Sequence, residues 1–435
     1  MKNTTTKHST PSMENFPMKK NNSSDMNTTT PAHPVFQDMP EVAQMKSVFP
    51  FCKSAKVGNI FYPVIASNKL MESITDDVNF VSAVRKVKSN AFNPSGSEHG
   101  ITKKACDMLI DNPSFRDIIR QHLIHGIYAP ERITSAPVFL LKHMALPRGY
   151  KNTVNQIIQT MIMQYIKVSG MNECTMPCAW SDMFNPGAGK MIGTVDQIRA
   201  KGPTYWISLN MKSFPCNIPH DRMKEKINIM FQDKRVADLI CTLVGLKAPV
   251  ADGRKGIKHV GIPKDTPLTG LLAYDIYMSE LDQEIARHGF DFVRFNDEIV
   301  IFCDSQTAAK QTKITVVNFV KNAMMCPVDF NMIRIKDIAR LAFLGLRLHG
   351  GNWRIQEKLR NAETGLYSRV ALEYAMEQMD DSLLWIAYDV LTNFIEFYED
   401  VYPLETEIRN LKKWRDEVFT GAITLAEKIK LGIIK

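Results

Sequence analysis

Gly289–Ser305 reads GFDFVRFNDEIVIFCDS, and this stretch decides what the rest of the chain is expected to be. Two runs rich in Phe, Val and Ile flank Asn296 and Asp297, and short apolar runs broken by two turn-prone residues predict a tight β-hairpin. The turn then displays Asp297 and Glu298 at its tip. Adjacent carboxylates on a stiff hairpin suit a hard divalent ion such as Mg²⁺, because the strands fix the geometry while the acids supply charge. An ordinary hairpin with a solvated polar turn has the same pattern, so the flanking sequence has to separate the two.

The chain has 435 residues, enough for two or three domains, and 45% of them are hydrophobic, enough for a sizeable core. A net charge of +8 favours a polyanionic partner, since Lys and Arg gain affinity by releasing counterions from phosphates. The eight Cys have no paired CxxC spacing, and nothing beside Cys174 and Cys178 completes a zinc set. They read as reduced thiols of a cytosol-like compartment. No run approaches the roughly 18 apolar residues of a membrane span, and no apolar segment near Met1 suggests a secretory signal. A soluble, cytoplasmic protein is expected. Residues Met1–Pro34 are dominated by Thr, Asn, Ser, Lys and Met, a composition that cannot offset the entropy of ordering. No Arg precedes Arg85, which argues against a transit peptide.

The hairpin resembles the Tyr-Ala-Asp-Asp element of reverse transcriptases, in the version of group II intron proteins, with Phe295, Asn296, Asp297 and Glu298 on its four positions. The resemblance runs from about Asn93 to Ile355. NPSGSEHGIT (Asn93–Thr102) and MLIDNPSFRDIIRQHLIHGIYAP (Met108–Pro130) are similar to the family's finger loop and helix, and Leu109, Phe115, Ile118, Ile119 and Leu123 fall near helical spacing. Next, PVFLLKHMALPRGYKNTVNQIIQTMIMQYI resembles the finger strand and helix, which implies that Lys142 approaches a nucleotide phosphate. SDMFNPGAGK (Ser181–Lys190) resembles a Phe-Arg-Pro-Gly-Arg stretch in which Asn185 replaces the Arg, a neutral amide for a charged fork.

ISLNMKSFPCNIPHDRMKEKI (Ile207–Ile227) resembles the palm strand that carries the first catalytic acid. Phe214, Ile218 and His220 keep its frame, but Asn210 sits on the Asp position and Cys216 on the later Asp. GIPKDTPLTGLLAYDIYMSELDQEI (Gly261–Ile285) resembles the Gly-x-Pro-Gln-Gly motif, with Lys264 for the Gln and Asp265 for the Gly that face the nascent pair. A charged side chain where backbone should approach a triphosphate crowds and repels it. IARLAFLGLRLHGGNWRI (Ile338–Ile355) resembles the Phe-Leu-Gly strand under the primer. Beyond it, Leu372, Met376, Met379, Leu383, Ile386, Val390, Phe394 and Phe397 recur at steps of three and four, predicting an amphipathic helix, with a second from Leu404 to about Leu431. Arg369, Arg409, Lys412, Lys413 and Arg415 are expected on exposed faces.

The implied fold class is α+β: a right-hand polymerase (fingers-palm) reverse-transcriptase fold with a C-terminal helical thumb-like domain. The expected divisions are a polar tail (1–34), an N-terminal extension (35–92), fingers (93–200), palm (201–355) and thumb (356–435). Templated polymerisation needs two ions bridged by carboxylates from both palm elements, so the acids thinned to Asp297 and Glu298 imply absent or weak activity. The resemblance therefore implies an RNA- or DNA-binding, maturase-like or partner subunit, with a second polymerase-like subunit as a candidate partner and no membrane. Its alternative is an active RNA-directed DNA polymerase or template-independent nucleotidyltransferase with a two-acid site. Mg²⁺ or Mn²⁺ is the implied cofactor for any retained activity. The implied catalytic set is Asp297, Glu298 and the substituted Asn210, with Asp297 and Glu298 as metal ligands. Lys142, Asn185, Lys264, Asp265 and Phe295 form the implied nucleotide or nucleic-acid contacts.

Overall fold

The computed structural model describes residues 52–435 except 91–102, 130–149, 172–174, 212–213, 247–259, 264–265, 328–332, 378–380, 432 and 434–435. Lys142, Lys264 and Asp265 lie outside the described residues. The described part is a mixed α+β structure. A hairpin of β1 (Lys53–Val57) and β2 (Ile60–Val64) is followed by the helices α1 (Asp77–Asn90), α2 (Lys103–Asp111), α3 (Pro113–Ile124) and α4 (Tyr150–Val168). The expected single helix from Met108 is two helices: Pro113 has no amide to donate, so the chain breaks at Asn112 and restarts with Pro at the first turn. Phe80, Ala83, Val84 and Val87 of α1 bury against α4.

The central sheet has five strands in the order β3-β5-β6-β4-β7: Ala179–Trp180, Phe292–Phe295, Glu298–Cys303, Tyr205–Asn210 and Arg334–Asp337. β3 runs parallel to β5, and the other neighbours are antiparallel. Between β3 and β4 lies α5 (Ala188–Arg199). Between β4 and β5 come α6 (His220–Met230), α7 (Lys234–Leu243) and α8 (Ser279–Arg287), and between β6 and β7 comes α9 (Gln306–Asn322). The succession β4, helices, β5, β6, α9, β7 is the split βαβ arrangement of ferredoxin-like domains.

Strand alternation sends residues to two different cores. Ile207, Leu209, Ile299, Ile301 and Cys303 pack under the helices, while Trp206, Val293, Val300 and Phe302 face the other way. That second face is covered by α5, a three-stranded sheet of β8 (Ala342–Phe343), β9 (Leu346–His349) and β10 (Asn352–Ile355), and the helices α10 (Glu357–Glu377), α11 (Asp381–Phe397) and α12 (Glu405–Lys430). No described helix is long and apolar enough to cross a membrane.

Two sequence expectations fail among the last three helices. Leu372, Met376 and Val390 are exposed, and the buried face is instead Tyr367, Ala371, Tyr374 and Ala375 on α10 with Leu384, Ala387, Leu391 and Ile395 on α11. On α10 the face one step round from Leu372 and Met376 is the one buried, and on α11 an apolar run fits more than one three-four spacing. Arg415 is buried, its guanidinium 4.4 Å from the Tyr388 ring centre with Nη1 donating to Thr392 Oγ1 at 2.8 Å. Arg369, Arg409 and Lys413 are exposed as expected.

The Leu344–Gly345 turn between β8 and β9 joins these helices to the sheet. Gly345 has φ +72°, a β-carbon there would collide with Leu359 Cδ2, and the Tyr398 hydroxyl stands 3.1 Å from the same point. Tyr398 also donates to the Leu344 carbonyl at 2.8 Å. Gly345→Ala is expected to destabilise the protein by about 1–3 kcal/mol, read as a lower urea midpoint. An unchanged midpoint would show that the turn is not constrained.

Candidate functional site

The expected hairpin forms with Phe295 and Glu298 as its closing pair, leaving Asn296 and Asp297 as the turn. Asn296 adopts φ +50°, a left-handed conformation that Asn tolerates better than most residues. Its side chain is fixed on both ends: Oδ1 accepts from the Asp182 amide at 3.1 Å, and Nδ2 donates to Asp182 Oδ2 at 3.0 Å. The loop that contains Asn185 is thus tied to the turn through Asp182. Asn185 itself is exposed and makes a local contact, accepting from the Gly187 amide at 2.9 Å.

Below the turn, Arg294 occupies an inward position of β5 and is almost fully buried. It grips Asp282 of α8 through Nε and Nη2, both at 2.7 Å, and gives Nη1 to the carbonyls of Trp180 at 3.3 Å and Asn296 at 3.0 Å. A planar fork suits this task because it satisfies one carboxylate and two carbonyls together. Close by, Ser181 Oγ donates to the buried Asp275 carboxylate at 2.8 Å, and burial pushes that carboxyl up to about 7. None of Arg294, Asp282, Asp182 and Asp275 was picked out in the sequence. Arg294 carried a readable signal, a charge at an inward place in an apolar strand, which demands a buried acid.

The three implied catalytic positions come together. Asn210, the last residue of β4, is the direct antiparallel partner of Glu298, and the Met211 amide donates to the Asp297 carbonyl at 3.3 Å. Cys216 is not among them: it is exposed on a short 3₁₀ turn, where its carbonyl abuts Gly261. Gly261 has φ +95°, and a β-carbon would sit 2.8 Å from that oxygen, so glycine is required here by close approach. His220 Nε2 lies 2.7 Å from the Gly261 carbonyl, closing the same contact.

Asp297 and Glu298 differ in kind. Asp297 occupies the turn, whereas Glu298 begins β6 and accepts the Leu344 amide at 3.3 Å. Burial pushes the Glu298 carboxyl up to about 7, partly offset by that amide and reinforced by Asp297. Phe295, half-buried, packs against Phe397 of α11 with ring centres 6.1 Å apart, so the end of α11 rests on the hairpin.

The pair of Mg²⁺ ions that the resemblance implies needs several ionised oxygens converging on one space. The residue types at these three positions are one Asp, one Glu and a neutral Asn, one acid fewer than the three the resemblance implies. They do not fit two ions. No known family model and no curated protein matches this chain.

The Glu298 shift sets a pH dependence. A carboxyl whose folded pKa lies near 7, above its ordinary 4.5, holds a stabilising proton at low pH and loses that contribution as pH rises through about 7. Thermal melts of wild type and Glu298→Gln should therefore run parallel below about pH 4.5. Between pH 4.5 and 7 the wild type should lose stability relative to the variant. Parallel melts across the whole range would mean that the carboxyl is not held away from water.

Proposed function

We propose that this chain is a reverse-transcriptase-fold protein that binds RNA or DNA and has lost polymerase chemistry, acting as a maturase-like or partner subunit. One observation carries the reading: Asn210 and Glu298 are direct partners across β4 and β6, beside the turn that holds Asp297. Residues from two separate places in the sequence, Asn210 and the adjacent Asp297 and Glu298, matched to the catalytic positions of one family, therefore meet at one end of one sheet.

Support for lost chemistry comes from the identity of the donors. An amide supplies an oxygen without charge, and Glu298, half-buried, accepts the Leu344 amide. Phosphoryl transfer relies on metal-bridged charge stabilisation rather than on covalent chemistry by the protein, so a missing acid removes most of the catalytic effect. Binding has no such requirement. It needs cations and shape, and the net charge of +8 supplies the first.

Primer extension on a homopolymer template with Mg²⁺ or Mn²⁺ tests this directly. Wild type and Asp297→Ala should both give no extension above background. Robust incorporation by wild type that disappears in Asp297→Ala would overturn the reading in favour of a two-acid nucleotidyltransferase.

A further inference from the structure

The outer face of the β8–β9–β10 sheet carries charge that the protein itself does not balance. Arg347 and Arg354 are direct cross-strand partners and both are exposed. His349 and Asn352 form the next pair on that face, also exposed, while Leu346, Leu348, Trp353 and Ile355 fill the core side. Like charges placed directly opposite across antiparallel strands destabilise a sheet.

The charge continues onto the edge strand β7. The Lys336 ammonium lies 4.9 Å from the Trp206 ring centre, and Arg334, two residues earlier, is exposed. Burial, then Arg334 and Arg347, hold Lys336 below the ordinary lysine value, so these cations share one field. Among the described residues none of the four has a carboxylate partner. The nearest acid in sequence, Asp337, is turned to the Ala339 amide at 2.8 Å. Lys336 pairs with Trp206, four residues along β4 from Asn210, so this patch lies away from the hairpin turn.

We propose that Arg334, Lys336, Arg347 and Arg354 form a docking strip for the phosphate backbone of RNA, separate from the hairpin. The inference rests on the nucleic-acid-binding reading above and adds where the contact is made. A polyanion relieves the Arg347–Arg354 repulsion and gains affinity by counterion release. A membrane surface fits poorly, because peripheral anchoring uses apolar side chains beside the cations. Exposed large apolar residues such as Leu366, Leu372, Met376 and Trp385 are on α10 and α11, and among the described residues none is on β7, β9 or β10. His349 and Asn352 flank the arginine pair and offer the hydrogen-bonding groups that read a 2′-hydroxyl, which favours RNA over DNA.

The test uses the full chain, a labelled RNA hairpin, a DNA hairpin of the same sequence, and phosphatidylserine vesicles. In Arg347→Glu/Arg354→Glu, RNA affinity should fall about tenfold or more, and the slope of log K against log salt should shrink by about 2. Arg354→Thr should weaken RNA binding while its melting temperature stays equal or rises, an outcome that a merely structural arginine would not give. Wild type that binds RNA, with the double variant unchanged in affinity and salt slope, would overturn the strip and leave the proposed function standing. Wild type that binds no nucleic acid would remove both. Equal affinity for the DNA hairpin would overturn the assignment to RNA, and loss of vesicle binding alone would reassign the strip to a membrane surface.

Discussion

The hairpin and everything arranged around it depend on one buried guanidinium. Arg294 joins β5 to α8 through Asp282, to β3 through the Trp180 carbonyl and to the turn through the Asn296 carbonyl. Taking such a charge out of water is tolerable only because every face of the fork finds an oxygen, and removing one partner of a buried pair costs about 3–5 kcal/mol. The hairpin is therefore held in a single register, and that register sets Asn210 opposite Glu298. A slip by one residue would send Phe295 and Val293 into the helical core and Arg294 toward Phe397, so the alternation itself forbids it.

A rigid support for the turn is compatible with either catalysis or its loss; the difference lies in what the support presents. Glu298 is drawn into the joint between the sheet and the last helices, with the Leu344 amide on its carboxylate and the Tyr398 hydroxyl on the Leu344 carbonyl. In that place it serves the packing of β8, β9 and α11 against the hairpin. Asn210 on the neighbouring strand leaves the local charge lower than three acids would make it. Away from the hairpin, Arg334, Lys336, Arg347 and Arg354 gather positive charge on β7, β9 and β10 with no carboxylate partner among the described residues.

Much of this was legible in the chain because it rests on local pattern. Phe292–Cys303 is two apolar runs broken at two turn-prone residues, so the hairpin follows from local pattern. The partnership of Asn210 with Glu298 came only from family resemblance, since a strand's sequence does not say which strand it will pair with. What stayed hidden depends on long-range contacts. Arg294 and Asp282 are twelve residues apart and meet only because α8 runs back beneath β5; Arg415 looks like a surface charge until Tyr388 and Thr392 close over it. The apolar run through α11 hid its buried face for a related reason: hydrophobicity on most sides gives burial no single direction.

The central claim is that a polymerase-like frame is kept here without an ion-holding set of acids. Titrating Mn²⁺ into the protein while following the free-ion signal by electron paramagnetic resonance addresses that claim with no substrate involved. The account predicts a free-ion signal that rises in proportion to added metal into the millimolar range, identical in wild type and Asp297→Ala. Saturable uptake of a pair of ions by wild type, abolished in Asp297→Ala and undiminished in Arg347→Glu, would contradict it.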